Sequence, residues 1–158
     1  MDAVAALRAG KAVILPTDTV YGLCTLPEHA SLLAELKQRP AGMPVATIHL
    51  DVPAGLPEEA RALLPGPYTF VVDGQGIRVP VLPPEAARIL AEIGPVAATS
   101  ANLHGGPDPR RLDDVPALLR EACGAEVDGG ELPGVPSTVV DLDGPEPAVL
   151  RQGSGRWP

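Results

Sequence analysis

Polar side chains that could bind an anion follow several apolar runs of this 158-residue sequence. They combine hydroxyls, an amide and several cations, and they include neither a His-Asp-Ser set nor a paired-carboxylate pattern. Such groups suit the binding and polarisation of an anionic substrate rather than hydrolysis through a covalent enzyme intermediate. They lie at residues 17–19, 37–39, 78, 100–102, 137–138 and 151.

Lys37 and Arg39 are the most concentrated positive charge among these groups, and Lys37 is one of only two lysines. An extended backbone, which Pro40 favours at Arg39, would point both side chains the same way. The pair could then straddle a polyphosphate, with a bidentate guanidinium and a compact ammonium. The alternative is that both cations neutralise the C-terminus of a helix, and the residues alone favour that alternative.

The other polar groups have equally plain structural explanations. Ser100 and Asn102 could face a ligand or could cap a turn through bonds to the backbone. Ser137 could be an ordinary strand residue, and Arg151 a solvated charge in a hairpin. Taken one at a time, these residues do not define a site.

Charge and composition exclude some classes of function. The net charge is −8, and residues 108–131 hold seven acids against three bases. An acidic surface argues against strong non-specific binding to nucleic acid, which depends on neutralising phosphates. Only 3% of the residues are aromatic, so few side chains could stack on bases. A local basic pocket for a small anion remains compatible with this balance.

The two cysteines, Cys24 and Cys123, have no CxxC spacing and indicate a reducing, cytoplasmic setting without structural zinc. The three histidines lack metal-binding spacing, so we predict no metal site. No apolar run approaches the ~20 residues that span a membrane, and residues 1–10 do not resemble a signal peptide. We therefore expect a cytoplasmic protein.

The hydrophobic pattern predicts one α/β domain over residues 1–158, with a twisted mixed β-sheet and flanking helices. The predicted helices cover 1–9, 27–38, 57–64, 83–93 and 112–122. The predicted strands cover 12–15, 45–50, 68–72, 77–79, 138–142 and 148–151, and a further apolar run covers 95–99. We expect the last two strands to pair across the turn at 143–145.

Seven segments, in order along nearly the whole chain, resemble the YrdC-like threonylcarbamoyl-AMP synthase family. The first and the fifth are the most specific, and the shared order makes coincidence a poor explanation. The segments are PTDTVYGL at 16–23, KQRP at 37–40, PGPYT at 65–69, GIRVP at 76–80, TSAN at 99–102, PSTVVD at 136–141 and LRQG at 150–153.

The resemblance implies a concave, positively lined ligand cavity. It also implies a reaction that uses L-threonine, bicarbonate and ATP, with Mg²⁺ accompanying the ATP and no tightly bound organic cofactor. The threonine amino group is carboxylated, and the carbamate attacks the α-phosphorus of ATP. Pyrophosphate leaves, and the product is threonylcarbamoyl-AMP. A separate transferase complex then moves the threonylcarbamoyl group to an adenosine of certain tRNAs.

The resemblance also implies roles for individual residues. Three would hold threonine, with the guanidinium on its carboxylate: Thr19, Arg78 and Ser137. Two would form the catalytic clamp on the nucleotide phosphates: Lys37 and Arg39. Three more would hold the nucleotide: Ser100, Asn102 and Arg151. No residue set is implied for a dedicated metal.

Some positions depart from the family pattern. Cys24 stands where the family usually has glycine, and Asp108 replaces a frequent hydroxyl residue close to the expected phosphates. These departures leave open a non-catalytic paralogue that binds nucleotide or RNA, and also a related carbamoyl transfer without threonine. The retained Thr19, Arg78 and Ser137 favour an amino-acid pocket.

Overall fold

One mixed sheet of nine strands organises the part of the chain that the computed structural model describes, residues 1–38 and 45–158. The strands are β1 (Val13–Leu15), β2 (Gly22–Thr25), β3 (Ala46–Ile48), β4 (Tyr68–Val72), β5 (Gln75–Arg78), β6 (Val96–Ser100), β7 (Ala125–Glu126), β8 (Thr138–Asp141) and β9 (Ala148–Arg151). The α-helices are α1 (Ala3–Arg8), α2 (Ser31–Leu36), α3 (Glu58–Arg61), α4 (Pro84–Ile93) and α5 (Ala117–Ala122).

The strand order in the sheet is β7-β1-β2-β6-β3-β5-β4-β8-β9. The pairs β1–β7, β3–β5 and β4–β8 are parallel, and the other neighbours are antiparallel. Strands distant in sequence therefore become neighbours, as in β2–β6 and β4–β8. The predicted α/β class with a mixed sheet is confirmed.

Alternation along the strands divides the core between the two faces of the sheet, because successive side chains of a strand point to opposite faces. Val13 and Leu15 pack in one apolar cluster with residues of α1 and α4. Ile14 and Leu23 pack in another with residues of α2 and α5. Helices thus cover both faces.

The two best-defined helices have the ends that the sequence suggests. The Asp2 carboxylate caps α1 by accepting a hydrogen bond from the Ala5 amide at 2.8 Å. Proline in its first turn opens α4, and Gly94 follows its end with a φ of 88°. Only glycine adopts that left-handed backbone readily, so the helix stops there.

Several predicted elements needed correction. The helix predicted over 112–122 is a 3₁₀ turn (Leu112–Asp114) followed by α5, because Pro116 lacks the amide that would continue the first segment. The helix predicted over 27–38 likewise divides into a 3₁₀ turn (Pro27–His29) and α2. Strands β2 and β7 were not predicted. Within the described ranges, no helix has the length and apolarity to cross a membrane.

Candidate functional site

A row of side chains crosses five neighbouring strands and forms the floor of a cavity. The register pairs Ile48 with Arg78, Arg78 with Thr69, Thr69 with Val139, and Val139 with Arg151. Residues paired across adjacent strands lie on the same face of a sheet. All five line one cavity of about 260 Å³. The sheet therefore brings together side chains from three separated parts of the sequence: β3, the β4–β5 pair and the β8–β9 pair.

Loops at the strand ends supply the rest of the lining. The turn between β1 and β2 contributes Thr19, the end of β6 contributes Ser100, and the segment before β8 contributes Ser137. The exposed carboxylate of Asp108 also lies on the lining. Five residues that the sequence analysis selected are thus brought together: Thr19, Arg78, Ser100, Ser137 and Arg151.

Arg78 presents a largely buried guanidinium to this cavity, with 12% of its side chain exposed. Its Nη2 donates to Asp18 Oδ1 and to Thr19 Oγ1, both at 3.2 Å. Its Nε is buried and has no hydrogen-bond partner among the described residues. An unsatisfied buried donor costs about 1–3 kcal/mol, so a ligand acceptor at this position would be stabilised.

The charges of Arg78 and Asp18 depend on each other. Burial lowers the pKa of Arg78, and Asp18 opposes that shift. Burial raises the pKa of Asp18, and Arg78 opposes that shift. Because desolvation is the largest cause on both sides, each charge needs its partner in this environment. The sequence analysis did not assign a role to Asp18.

The hydroxyl of Thr19 has a defined orientation. Thr17 Oγ1 donates its proton to the Val20 carbonyl at 2.7 Å, so it acts as an acceptor towards Thr19 Oγ1 at 3.1 Å. Thr19 therefore donates its own proton to Thr17 and accepts from Arg78. A hydroxyl oxygen has two lone pairs, and the second can accept from an N–H group of a ligand.

Ser137 lies between two other lining residues. Its Oγ is 2.7 Å from Thr69 Oγ1, and it accepts from Arg151 Nη2 at 3.1 Å. The Ser137 carbonyl accepts from Arg151 Nε at 3.0 Å. Arg151 thus contacts the protein as well as solvent. Thr69 was not predicted as a site residue, and the structure places it opposite Arg78 across the β4–β5 pair.

Lys37 is directed into the protein beneath Ser100. With 3% of its surface exposed, it donates from Nζ to the Ser100 carbonyl at 2.8 Å and to Asn102 Oδ1 at 2.9 Å. Lys37 is the helical C-cap residue of α2 and Gln38 has a φ of 57°, so the backbone is not extended here, and Lys37 lies at a helix C-terminus as the residues alone favoured. Arg39 lies outside the described residues.

Asn102 connects this network to the next loop. Its Nδ2 donates to the carbonyls of Gly106 at 2.9 Å and Pro107 at 3.3 Å. Its Oδ1 accepts from Ser100 Oγ at 2.7 Å as well as from Lys37. The amide therefore organises the turn that leads to Asp108, which is the turn-capping role that the residues alone favoured.

The remaining reactive side chains do not form a second centre in the described ranges. Burial in β2 raises the pKa of the Cys24 thiol to about 12, which keeps it protonated and unreactive near neutral pH. Within residues 1–38 and 45–158, no group of three or more His, Cys, Asp or Glu side chains could hold a metal ion.

Known proteins share both the sequence and the fold. The Sua5/YciO/YrdC family model, described as telomere recombination, matches residues 5–153. A putative threonylcarbamoyl-AMP synthase of Mycobacterium tuberculosis H37Rv is 34% identical over 97% of this chain and 83% of its own length. The threonylcarbamoyl-AMP synthase of Pyrococcus abyssi is 38% identical over 93% of this chain, which spans about half (52%) of that protein.

Solved structures agree with these matches. P. abyssi Sua5 complexed with L-threonine superposes with a TM-score of 0.82 and 33% identity, over 96% of this chain and 53% of that one. Escherichia coli YciO superposes with a TM-score of 0.84 and 26% identity, over 98% of this chain and 88% of that one. The similarity extends over nearly the whole chain.

Proposed function

Because the chain belongs to the Sua5/YciO/YrdC family, we propose that it makes threonylcarbamoyl-AMP and pyrophosphate from L-threonine, bicarbonate and ATP. Curated relatives that are 32–38% identical over most of this chain are named threonylcarbamoyl-AMP synthase. The observation that carries the proposal is the buried, unsatisfied Nε of Arg78 in a cavity lined by hydroxyls. This arrangement suits a small zwitterion with one carboxylate.

The threonine half of the site is assigned to Thr19, Arg78 and Ser137. The carboxylate of threonine would accept from the Arg78 guanidinium, which lines the cavity and has one unsatisfied donor. The second lone pair of Thr19 would accept from the amino group or the carbamate N–H. Ser137 would contact the same ligand, and Thr69 fixes its hydroxyl.

The nucleotide half is assigned to two residues at opposite ends of the site. Ser100 of β6 and Arg151 of β9 line the cavity and would contact the nucleotide. Lys37 and Asn102 would support Ser100 and add positive charge beneath it. Arg39 remains the proposed phosphate clamp on the strength of its motif. Mg²⁺ would enter as part of MgATP, which suits a cation that is commonly bound through substrate phosphates and few carboxylates.

The chemistry needs two bound substrates in line. A carbamate oxygen of carboxylated threonine forms a bond to the α-phosphorus, the bond to the bridging oxygen breaks, and pyrophosphate leaves with the electron pair. Cations fixed around the phosphate stabilise the charge that develops as this bond breaks. Holding both reactants in one cavity replaces a bimolecular encounter and supplies much of the acceleration.

The product would be consumed by a second protein. Threonylcarbamoyl-AMP is a mixed anhydride, so it can deliver its acyl group to a nucleophile. We propose that a transferase complex moves this group to an adenosine of tRNA in the cytoplasm. Weak, transient contact between this chain and tRNA is part of the same proposal.

The test is a reconstitution with purified protein. The chain should convert L-threonine, bicarbonate and MgATP to threonylcarbamoyl-AMP and pyrophosphate, detected by chromatography and mass spectrometry. Arg78→Ala should chiefly raise KM for threonine, and Arg39→Ala should chiefly reduce ATP-dependent turnover. Arg88→Ala, an exposed arginine of α4, is the matched control. A folded wild-type protein that yields no product would overturn the proposal.

A further inference from the structure

Asp18, the acidic residue of the first motif, stands behind Arg78. Its Oδ1 accepts from Arg78 Nη2 at 3.2 Å, and its Oδ2 accepts from the Val81 amide at 3.1 Å. Among the described residues that line the cavity, Arg78 and Thr19 appear but Asp18 does not. The carboxylate therefore holds the guanidinium and the backbone just beyond β5 without reaching the ligand space.

The turn that carries Asp18 is itself fixed on both sides. Thr17 Oγ1 donates to the Val20 carbonyl at 2.7 Å and accepts from the Thr19 amide at 3.2 Å. Asp18 is enclosed between these two bonded residues, and its side chain is only 14% exposed. A carboxylate on such a turn has one preferred position, so it can define the position of its partner.

Arg78 has a particular need for this partner. Its guanidinium is desolvated, and the positive charge of Arg151 adds to the unfavourable field, whereas Asp18 is the largest favourable charge. Nη2 is occupied by Asp18 and Thr19, and Nε is left without a partner among the described residues. The ion pair thus fixes the guanidinium at Nη2, and the group keeps one buried donor that no described residue satisfies.

We propose that Asp18 is a positioning residue for the amino-acid substrate, which orients Arg78 so that its guanidinium meets the substrate carboxylate. This inference rests on the proposed function, because it takes the carboxylate of threonine as the ligand of Arg78. Asp18 touches neither substrate and acts on the threonine site through Arg78. Its loss should therefore weaken threonine binding and leave ATP binding unchanged.

A double-mutant cycle with direct binding measurements tests this inference. Isothermal titration with L-threonine and, separately, with MgATP is performed on wild type, Asp18→Ala, Arg78→Ala and the double variant. Asp18→Ala should raise the Kd for threonine by at least ~10-fold, as truncation of one partner of a buried charge pair does. In the Arg78→Ala background, the same change should have no further effect. Urea unfolding of all four proteins shows whether they are folded.

Two further variants keep the test decisive. Asp18→Asn retains an acceptor and removes the charge, so it should fold and bind threonine with an intermediate Kd. Asp143→Asn is the control, since Asp143 accepts from two amides of the β4–β5 turn, away from the lining. Unchanged threonine affinity in folded Asp18→Ala, or equal losses with and without Arg78, would overturn the inference. A wild type that binds no threonine would instead overturn the proposed function, and this inference with it.

Discussion

At the scale of single residues, Lys37 is the side chain whose environment most constrains its role. Its buried ammonium donates to the Ser100 carbonyl and to Asn102, and Asn102 in turn holds the carbonyls of Gly106 and Pro107. One cation therefore orders Ser100 and the turn that leads to Asp108. Lys37 therefore contributes to the site mainly by fixing the positions of Ser100 and this turn.

Replacing Lys37 by methionine should destabilise the protein. The apolar side chain is of similar length, but it leaves the buried Ser100 carbonyl and Asn102 Oδ1 without their charged donor. We expect a loss of about 2–3 kcal/mol in the free energy of unfolding. Urea denaturation measures it, with the exposed Lys11→Met as the control. Equal stability of the two variants would show that the ammonium contributes no order.

The buried thiol of Cys24 should make the free energy of unfolding decrease at alkaline pH. Its pKa is raised to about 12 in the folded protein, chiefly by burial, and an exposed thiol titrates near 9. The unfolded chain loses this proton first, so stability is full below pH 9 and falls as the pH rises towards 12. The slope from one such group approaches ~1.4 kcal/mol per pH unit.

Cys24→Ala should therefore unfold with a shallower pH dependence between pH 9 and 10.5 than wild type. Urea midpoints at several pH values measure this slope. Cys123→Ala is the partial comparison, because burial raises the pKa of that thiol to about 11. A Cys24→Ala slope identical to that of wild type would contradict the assignment.

At the scale of elements, the C-terminal segment packs on the face of the sheet opposite the cavity. Trp157 contacts Phe70 in an edge-to-face arrangement, with ring centroids 5.9 Å apart. The Tyr68 hydroxyl donates to the Arg156 carbonyl at 2.7 Å. Phe70 alternates with Thr69 along β4, so this packing supports the strand that carries a lining residue.

Trp157→Ala should lower the free energy of unfolding by about 1–3 kcal/mol, because Trp157 is only partly buried. Trp157→Phe should recover part of this loss by restoring an aromatic contact with Phe70. Thermal unfolding compares these variants with Arg156→Ala, whose backbone contact to Tyr68 is retained. A Trp157→Ala protein as stable as the Arg156→Ala control would show that the packing is weak.

The sequence was sufficient for elements whose pattern is local and insufficient for those made by tertiary pairing. Proline and glycine punctuation located α1 and α4, and alternation located β4 together with the hairpin of β8 and β9. Strand β2 is short and begins at Gly22, and its backbone pairs with β1 on one side and β6 on the other. Strand formation there depends on its neighbours more than on propensity.

The candidate site shows the same division. Hydroxyls and cations at the ends of apolar runs could be selected from the sequence, and the family resemblance assigned a role to each of them. The direction of the Lys37 side chain could not be predicted from the sequence, because it depends on where β6 lies relative to the end of α2. The Asp18–Arg78 pair joins residues sixty positions apart, so only the assembled sheet reveals it.

At the scale of the whole molecule, arginines in the cavity and arginines on the outer surface have different surroundings. Arg78 and Arg151 line the cavity, whereas Arg110 and Arg111 outside it are paired with Glu131. Positive charge in the described ranges is thus partly neutralised at the surface. Few free cations remain there for an extended phosphate backbone.

Single-stranded RNA should therefore bind weakly at physiological ionic strength, while MgATP binding persists. Fluorescence anisotropy with a labelled oligonucleotide at 50 and 150 mM KCl measures affinity and its salt dependence. A binding protein that neutralises many phosphates loses affinity steeply over this range. Tight, strongly salt-dependent RNA binding would instead favour the non-catalytic RNA-binding paralogue.

The row of paired residues that forms the cavity floor also bears on how the chain folds. Ile48, Arg78, Thr69, Val139 and Arg151 become neighbours only when β3, β5, β4, β8 and β9 have all joined the sheet. Non-local strand pairs form slowly, because chain entropy is lost before the contacts are gained. Ligand affinity should appear late in refolding, together with the native sheet, and no partly assembled intermediate should bind threonine.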